Sequence, residues 1–213
     1  MASYFDASYP EPWQLLGITL RPFSLGHYLK LQRLDCAFVS EKSETATLGD
    51  LLLGVLVCSL PSDPDATKDP FWVWLNRQGT GLRWRARAWV ARRLGKEPLT
   101  PAELDVLKLG KQIGLFDLGD KARLFADYIK AHSDAPPFWD EPQPGEPRKS
   151  GAHWAHAILS TLVSKCGYTQ EQAYNASLSK ALADYFRHAE AEGCIRLMTP
   201  EEVEFTERAH GNV

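Results

Sequence analysis

Seven cations fall between residues 70 and 96 without one acid among them: Arg77, Arg83, Arg85, Arg87, Arg92, Arg93 and Lys96, with Trp84 and Trp89 interleaved. Arginine beside an indole can hold a phosphate while the ring stacks on a base. Arg83, Trp84, Arg85, Arg87, Arg92 and Arg93 therefore form a candidate surface for nucleic acid or for an acidic protein partner. The plainer reading turns Trp84 and Ala88 inward on a helix and leaves the arginines solvated or paired with acids elsewhere. It has the better claim: a formal net charge of −3 gives no general pull toward polyanions, and one short stripe makes few phosphate contacts.

A second cluster has the donor types of a zinc site. His153 and His156 sit at i, i+3 on an expected helix, and His188 and Cys194 could approach them from a neighbouring hairpin. Nothing in the spacing forces four ligands to converge, so no metal is expected. Asp184 and His188, at i, i+4, have the makings of an acid and base pair, but on a helix that spacing more often gives a surface contact. The chain contains no phosphate loop, no Gly-x-Ser-x-Gly elbow, no His-Glu-x-x-His and no dinucleotide fingerprint. Catalytic residues, cofactor and metal are all read as none, and the chain as non-enzymatic. An enzyme built on His153, His156 and His188 is the remote rival.

The elements that would position these residues are helical. Residues 47–60 are apolar on every side, open with Thr47 and Asp50 as a capping box and stop at Pro61. The run is short of the ~20 residues needed to cross a bilayer, so it belongs in the middle of a bundle. Ser24 caps a helix whose Leu25, Tyr28 and Leu29 share one face. Asp69-Pro70 starts another, and Thr100-Pro101-Ala102-Glu103 a third. Residues 120–130 set Ala122, Phe125, Tyr128 and Ile129 on one stripe. Residues 1–23 read as an extended aromatic arm, with Ile18–Leu20 as a short extended piece.

Residues 133–150 hold five of the fourteen prolines and cannot be helical. Phe138 and Trp139 inside that stretch would be out of place in a free linker and are expected to dock on a neighbouring surface. Beyond it, Trp154, Ile158, Leu162 and Cys166 mark one helix. A second runs from Thr169 to Gly193, and Thr199-Pro200 opens a short terminal one. The expected fold is thus all-α: an irregular helical bundle over 1–132 with its extended arm, a proline-rich connector at 133–150, and a C-terminal helical hairpin with a terminal helix over 151–213.

Composition agrees with an ordinary globular chain, 44% hydrophobic and 24% charged, which argues against wholesale disorder. Cys36, Cys58, Cys166 and Cys194 are scattered and form no Cys-x-x-Cys pair, as expected of reduced, packing thiols in the cytoplasm. The first residues lack the basic and apolar regions of a secretory signal, and no membrane association is expected.

Two segments resemble a known family. Leu20-Arg-Pro-Phe-Ser-Leu-Gly-His-Tyr-Leu-Lys-Leu-Gln-Arg-Leu, followed by Leu48-Gly-Asp-Leu-Leu-Leu-Gly-Val-Leu-Val-Cys-Ser, is similar to the opening of the small helical tail assembly chaperones of tailed bacteriophages. Gly167-Tyr-Thr-Gln-Glu-Gln-Ala-Tyr-Asn-Ala-Ser-Leu, running on to Glu192-Gly193, resembles their later part. The Arg/Trp stripe and the Phe138-Trp139 stretch have no counterpart in that pattern. The resemblance implies a helical assembly protein of the infected host's cytoplasm that binds the tape-measure protein or other tail components. Association with further copies of itself also fits an exposed helical interface. The alternative is a nucleic-acid or portal-associated phage protein working through residues 83–96.

Overall fold

A computed structural model describes residues 13–40, 45–76, 100–111, 117–140 and 153–210. Its nine helices among these residues are joined by two antiparallel sheets of two strands each, which corrects the all-α expectation. The first sheet is a hairpin of β1 (Trp13–Leu15) and β2 (Ile18–Leu20), pairing Trp13 with Leu20 and Leu15 with Ile18. Its two turn residues, Leu16 and Gly17, both have positive φ, 54° and 72°. That combination makes the turn type I′, whose twist matches the strands. The second sheet pairs β3 (Phe138–Asp140) with β4 (Ile195–Leu197), far apart in sequence. Strands of three residues are too short to display the alternation by which a strand is read from sequence.

The helices are α1 (Leu25–Arg33), α2 (Leu48–Ser59), α3 (Pro70–Leu75), α4 (Pro101–Gly110), α5 (Leu118–His132), α6 (Trp154–Ser164), α7 (Gln170–Asn175), α8 (Leu178–Ala191) and α9 (Pro200–His210). The apolar α2 lies at the centre, against α1, α4, α5 and β2. Thr47 accepts from the Asp50 N–H while the Asp50 carboxylate accepts from the Thr47 N–H, so the box that starts α2 is complete. Leu51, Leu52, Val55, Val57 and Cys58 are buried. At Gly54 the Phe125 ring comes so close that a methyl group there would sit 2.5 Å from its Cε1 and Cζ. Phe125 packs in turn on Phe38 and Tyr128.

The C-terminal helices are stitched to this unit by backbone as well as side chains. Leu178 N–H donates to Phe23 O at 2.7 Å, and Leu25 N–H to Ala176 O at 3.4 Å. These bonds explain a second departure from the sequence reading. The helix expected from Thr169 to Gly193 is broken at Ala176, where the chain turns extended to meet residues 23–25, and Ser177 then caps α8 through Lys180 N–H. Ala155, Ile158, Leu162, Ala173, Leu178 and Ala181 join the same hydrophobic cluster as α2 and α5. No helix among the described residues is long and apolar enough to cross a membrane.

Candidate functional site

A cleft of about 480 Å³ opens between α1, the 61–69 loop, α3, α6 and α7. Its size falls in the range of ligand sites, ~300–1,000 Å³. The α1 wall is Gly26, Leu29, Lys30, Gln32 and Arg33. Asp63, Pro64, Ala66 and Trp72 face it, and His156 and Tyr174 complete the lining.

The floor is fixed by a buried ion pair. Lys30 Nζ lies 2.6 Å from Asp69 Oδ2, with side chains 6% and 0% exposed. Two charges removed from water are tolerable only when every lone pair is used, and here they are. Asp69 Oδ1 takes the N–H groups of Phe71 and Trp72 as the cap of α3, Oδ2 also takes Asp63 N–H, and Lys30 donates to Pro61 O at 3.3 Å. Burial lowers the Lys30 ammonium from its ordinary value, and the hydrogen bond and charge of Asp69 oppose that fall.

The same loop is held by two unusual contacts. The Asn175 side chain accepts from Ser62 N–H at 3.1 Å and donates to Ser62 O at 2.7 Å, as a paired strand would. Ser62 in turn presses on α1, where a methyl group at Gly26 would meet Ser62 Cβ at 2.5 Å and Tyr174 O at 2.9 Å. Behind them His27, 2% exposed, closes the α1 capping box: Nδ1 accepts from Ser24 N–H at 3.2 Å and Nε2 donates to Leu60 O at 2.8 Å. Those two bonds define a neutral ring, and burial lowers its pKa to about 4.

At the rim, the Arg33 guanidinium stands 5.1 Å from the Trp72 ring centre. No carboxylate among the described residues pairs with it. The Tyr174 hydroxyl and the His156 ring nitrogens likewise have no hydrogen-bond partner among the described residues, and burial raises the Tyr174 phenol. The lining thus carries unspent donors from three side chains, against the single carboxylate of Asp63, whose Oδ1 already accepts from Asp65 N–H.

The residues singled out in the sequence are distributed elsewhere. Arg83, Trp84, Arg85, Arg87, Arg92 and Arg93 lie outside the described residues. Phe138 stacks on Phe186 of α8 at 4.7 Å, while Trp139 is 41% exposed. His153 is the cap residue of α6. Its Nδ1 accepts from Ala155 N–H at 3.2 Å, and its Nε2 lies 2.7 Å from Nε2 of the Gln32 side-chain amide. The His153 and His156 rings are 6.4 Å apart, and among the described residues no three His, Cys, Asp or Glu side chains converge on a metal position. Asp184 takes Lys180 at 2.7 Å and the Tyr168 hydroxyl. Cys36 and Cys58 are buried, and burial pushes the Cys36 thiol up to about 11 and the Cys58 thiol higher still. Neither is a nucleophile at neutral pH.

The sequence reading passed over Arg33, Trp72 and Tyr174, although the cap at Asp69 and the Gly167-Tyr-Thr helix start bracket two of them. Comparison of the chain with protein-family models, curated proteins and solved structures finds no match.

Proposed function

We propose that the chain is a non-enzymatic assembly protein of a tailed bacteriophage, acting as a tail assembly chaperone that holds the tape-measure protein or another helical tail component in the host cytoplasm. The observation that carries this reading is where the family-like segments fall. Residues 20–34 and 48–59 form the end of β2, α1 and α2, residues 167–192 form α7 and α8, and the two sets interlock through the Phe23–Leu178 and Leu25–Ala176 backbone bonds. Segments that are separate in sequence therefore make one unit. A mixed apolar and polar cleft lies on that unit, of the kind that takes side chains from an amphipathic helix. Large apolar side chains left outside the core, Val73 at 54% and Phe205 at 73% exposure, add surface for a client.

The test is co-expression of the tagged chain with the reading frames that neighbour its own, followed by size-exclusion chromatography and identification of what co-elutes. A tail protein that stays in solution only when this chain is present is the expected result. Elution as a homo-oligomer without a client, or with nucleic acid released by high salt, would overturn it.

A further inference from the structure

We propose that the cleft between α1 and the 61–69 loop binds an acidic-apolar side-chain pair on one face of a partner α-helix. It rests on the reading of the chain as the binder of a helical client, and it specifies what that client presents. The apolar member fits between Leu29 of α1 and the facing Pro64 and Trp72. The acidic member follows from the balance of donors. Arg33 lies 5.1 Å from the Trp72 ring centre, which leaves N–H groups of its fork free, and no described carboxylate takes them.

The nearest cation below, Lys30, is already neutralised by Asp69 and donates to Pro61 O, so it does not compete for the incoming charge. A carboxylate meeting a guanidinium fork forms two charge-assisted hydrogen bonds, whereas an amine would meet Arg33 as a like charge. Leu29 and Arg33 are one turn apart on α1. A client residue pair at i, i+4 has the same spacing and can address both at once.

The experiment uses the full chain and a helical alanine-based peptide carrying one Leu and, four residues later, one Glu. Its probes of specificity are the Glu-to-Lys relative of that peptide and free 4-phenylbutyrate. Titration by calorimetry is expected to give saturable binding of the Leu/Glu peptide, weakened about tenfold by Arg33→Gln. Ala66→Glu, an exposed position on the opposite wall, is expected to weaken binding at least as much, through charge and bulk. Unchanged urea midpoints for both variants identify a loss as one of binding.

The Lys peptide should bind weakly to every form, and Arg33→Gln should cost it nothing. Absence of saturation, equal losses for both peptides on Arg33→Gln, or 4-phenylbutyrate binding as tightly as the peptide would each overturn the proposal. The two readings also fail separately. A co-purifying tail protein whose binding ignores Arg33→Gln and Ala66→Glu removes the cleft alone. A cleft that takes the peptide in a chain with no tail client removes the assembly role alone.

Discussion

Two glycines inside helices mark two ways of closing a gap. At Gly54 the space is taken by the Phe125 ring, hydrocarbon against aromatic carbon, inside a layer that includes Leu51, Val55 and Tyr128. At Gly26 it is taken by the Tyr174 carbonyl and by the Ser62 side chain, whose buried Oγ has no hydrogen-bond partner among the described residues, while His27, Lys30, Asp69 and Asn175 around it are each hydrogen-bonded. The first region is stable because apolar surface leaves water, a contribution of ~25 cal/mol per Å² that needs no particular partner. The second depends on specific pairings, Lys30 with Asp69, His27 with Leu60 O and Asn175 with the Ser62 backbone, and the loss of one leaves its partner stranded. The cleft lies on the second region, so the face offered to a ligand is the one least able to rearrange.

The sharpest way to break this contrast is through the Lys30–Asp69 pair. Asp69→Ala should destabilise the chain by about 3–5 kcal/mol, because Lys30 is left charged in the interior, whereas Lys30→Met with Asp69→Leu should recover most of that loss. Urea unfolding of the three forms checks it. A double variant as unstable as the single would mean that the capping bonds of Asp69 to α3, and not the charge, dominate.

Next in size is the pH response. The folded His27 pKa is about 4, below its ordinary value near 6.5, so between those values the unfolded chain binds a proton that the folded chain refuses. Stability is fully present above about pH 6.5 and falls as the pH drops toward 4, by about 3 kcal/mol at most. Burial also lowers the His132 pKa, which adds to the fall in the same direction. His27→Gln should flatten part of the slope measured by urea midpoints from pH 7 to 4.5. An unchanged slope would assign it to His132 and its surroundings instead. Protonation costs His27 its Ser24 hydrogen bond. His132 has no such loss, since its Nε2 has no partner among the described residues.

The glycines themselves give a smaller and more discriminating test. Gly54→Ala and Gly26→Ala should each cost about 1–3 kcal/mol by overpacking. Phe125→Leu should relieve the first in a double variant, since only ring carbon is in the way. Ser62→Gly should relieve the second incompletely, because the Tyr174 carbonyl remains at 2.9 Å. Equal rescue at both positions would erase the distinction between the regions. The smallest effect expected is Thr47→Ala, ~1 kcal/mol, from loss of the cap of α2 at the edge of the apolar layer.

The apolar region was legible in the sequence for the same reason that it is robust. Leu51, Val55 and Cys58 announce burial by their own chemistry, and Thr47, Asp50 and Pro61 bracket the helix within a few residues. The polar region was not. Lys30 looks like any surface charge, and Asp69, legible as a helix cap, gives no sign that it also pairs with Lys30. His27 closes a capping box at a position where a glutamate or glutamine is the recognised signal. The hairpin at 13–20 was half visible: Ile18–Leu20 reads as extended, but Leu16 gives no warning that it will adopt positive φ. Ala176 lies between Asn175 and Ser177, of which Ser177 caps the next helix, and the carbonyl of Phe23 and the N–H of Leu25 hold the chain extended there. The cleft inherits this obscurity, because Arg33, Trp72 and Tyr174 come from three stretches with no local pattern in common.

The Asn175 clasp on Ser62 and the Gln32 contact with His153 join residues 113 and 121 positions apart. Such separations raise the entropy of closing the chain before any reward is collected, and they slow folding. While the chain is still emerging from the ribosome, α1 and α2 can form, but the seam at Phe23–Leu25 stays open until α7 and α8 have been made. The cleft is therefore among the last features to exist, and the helix proposed for it would find no complete site on an unfinished chain.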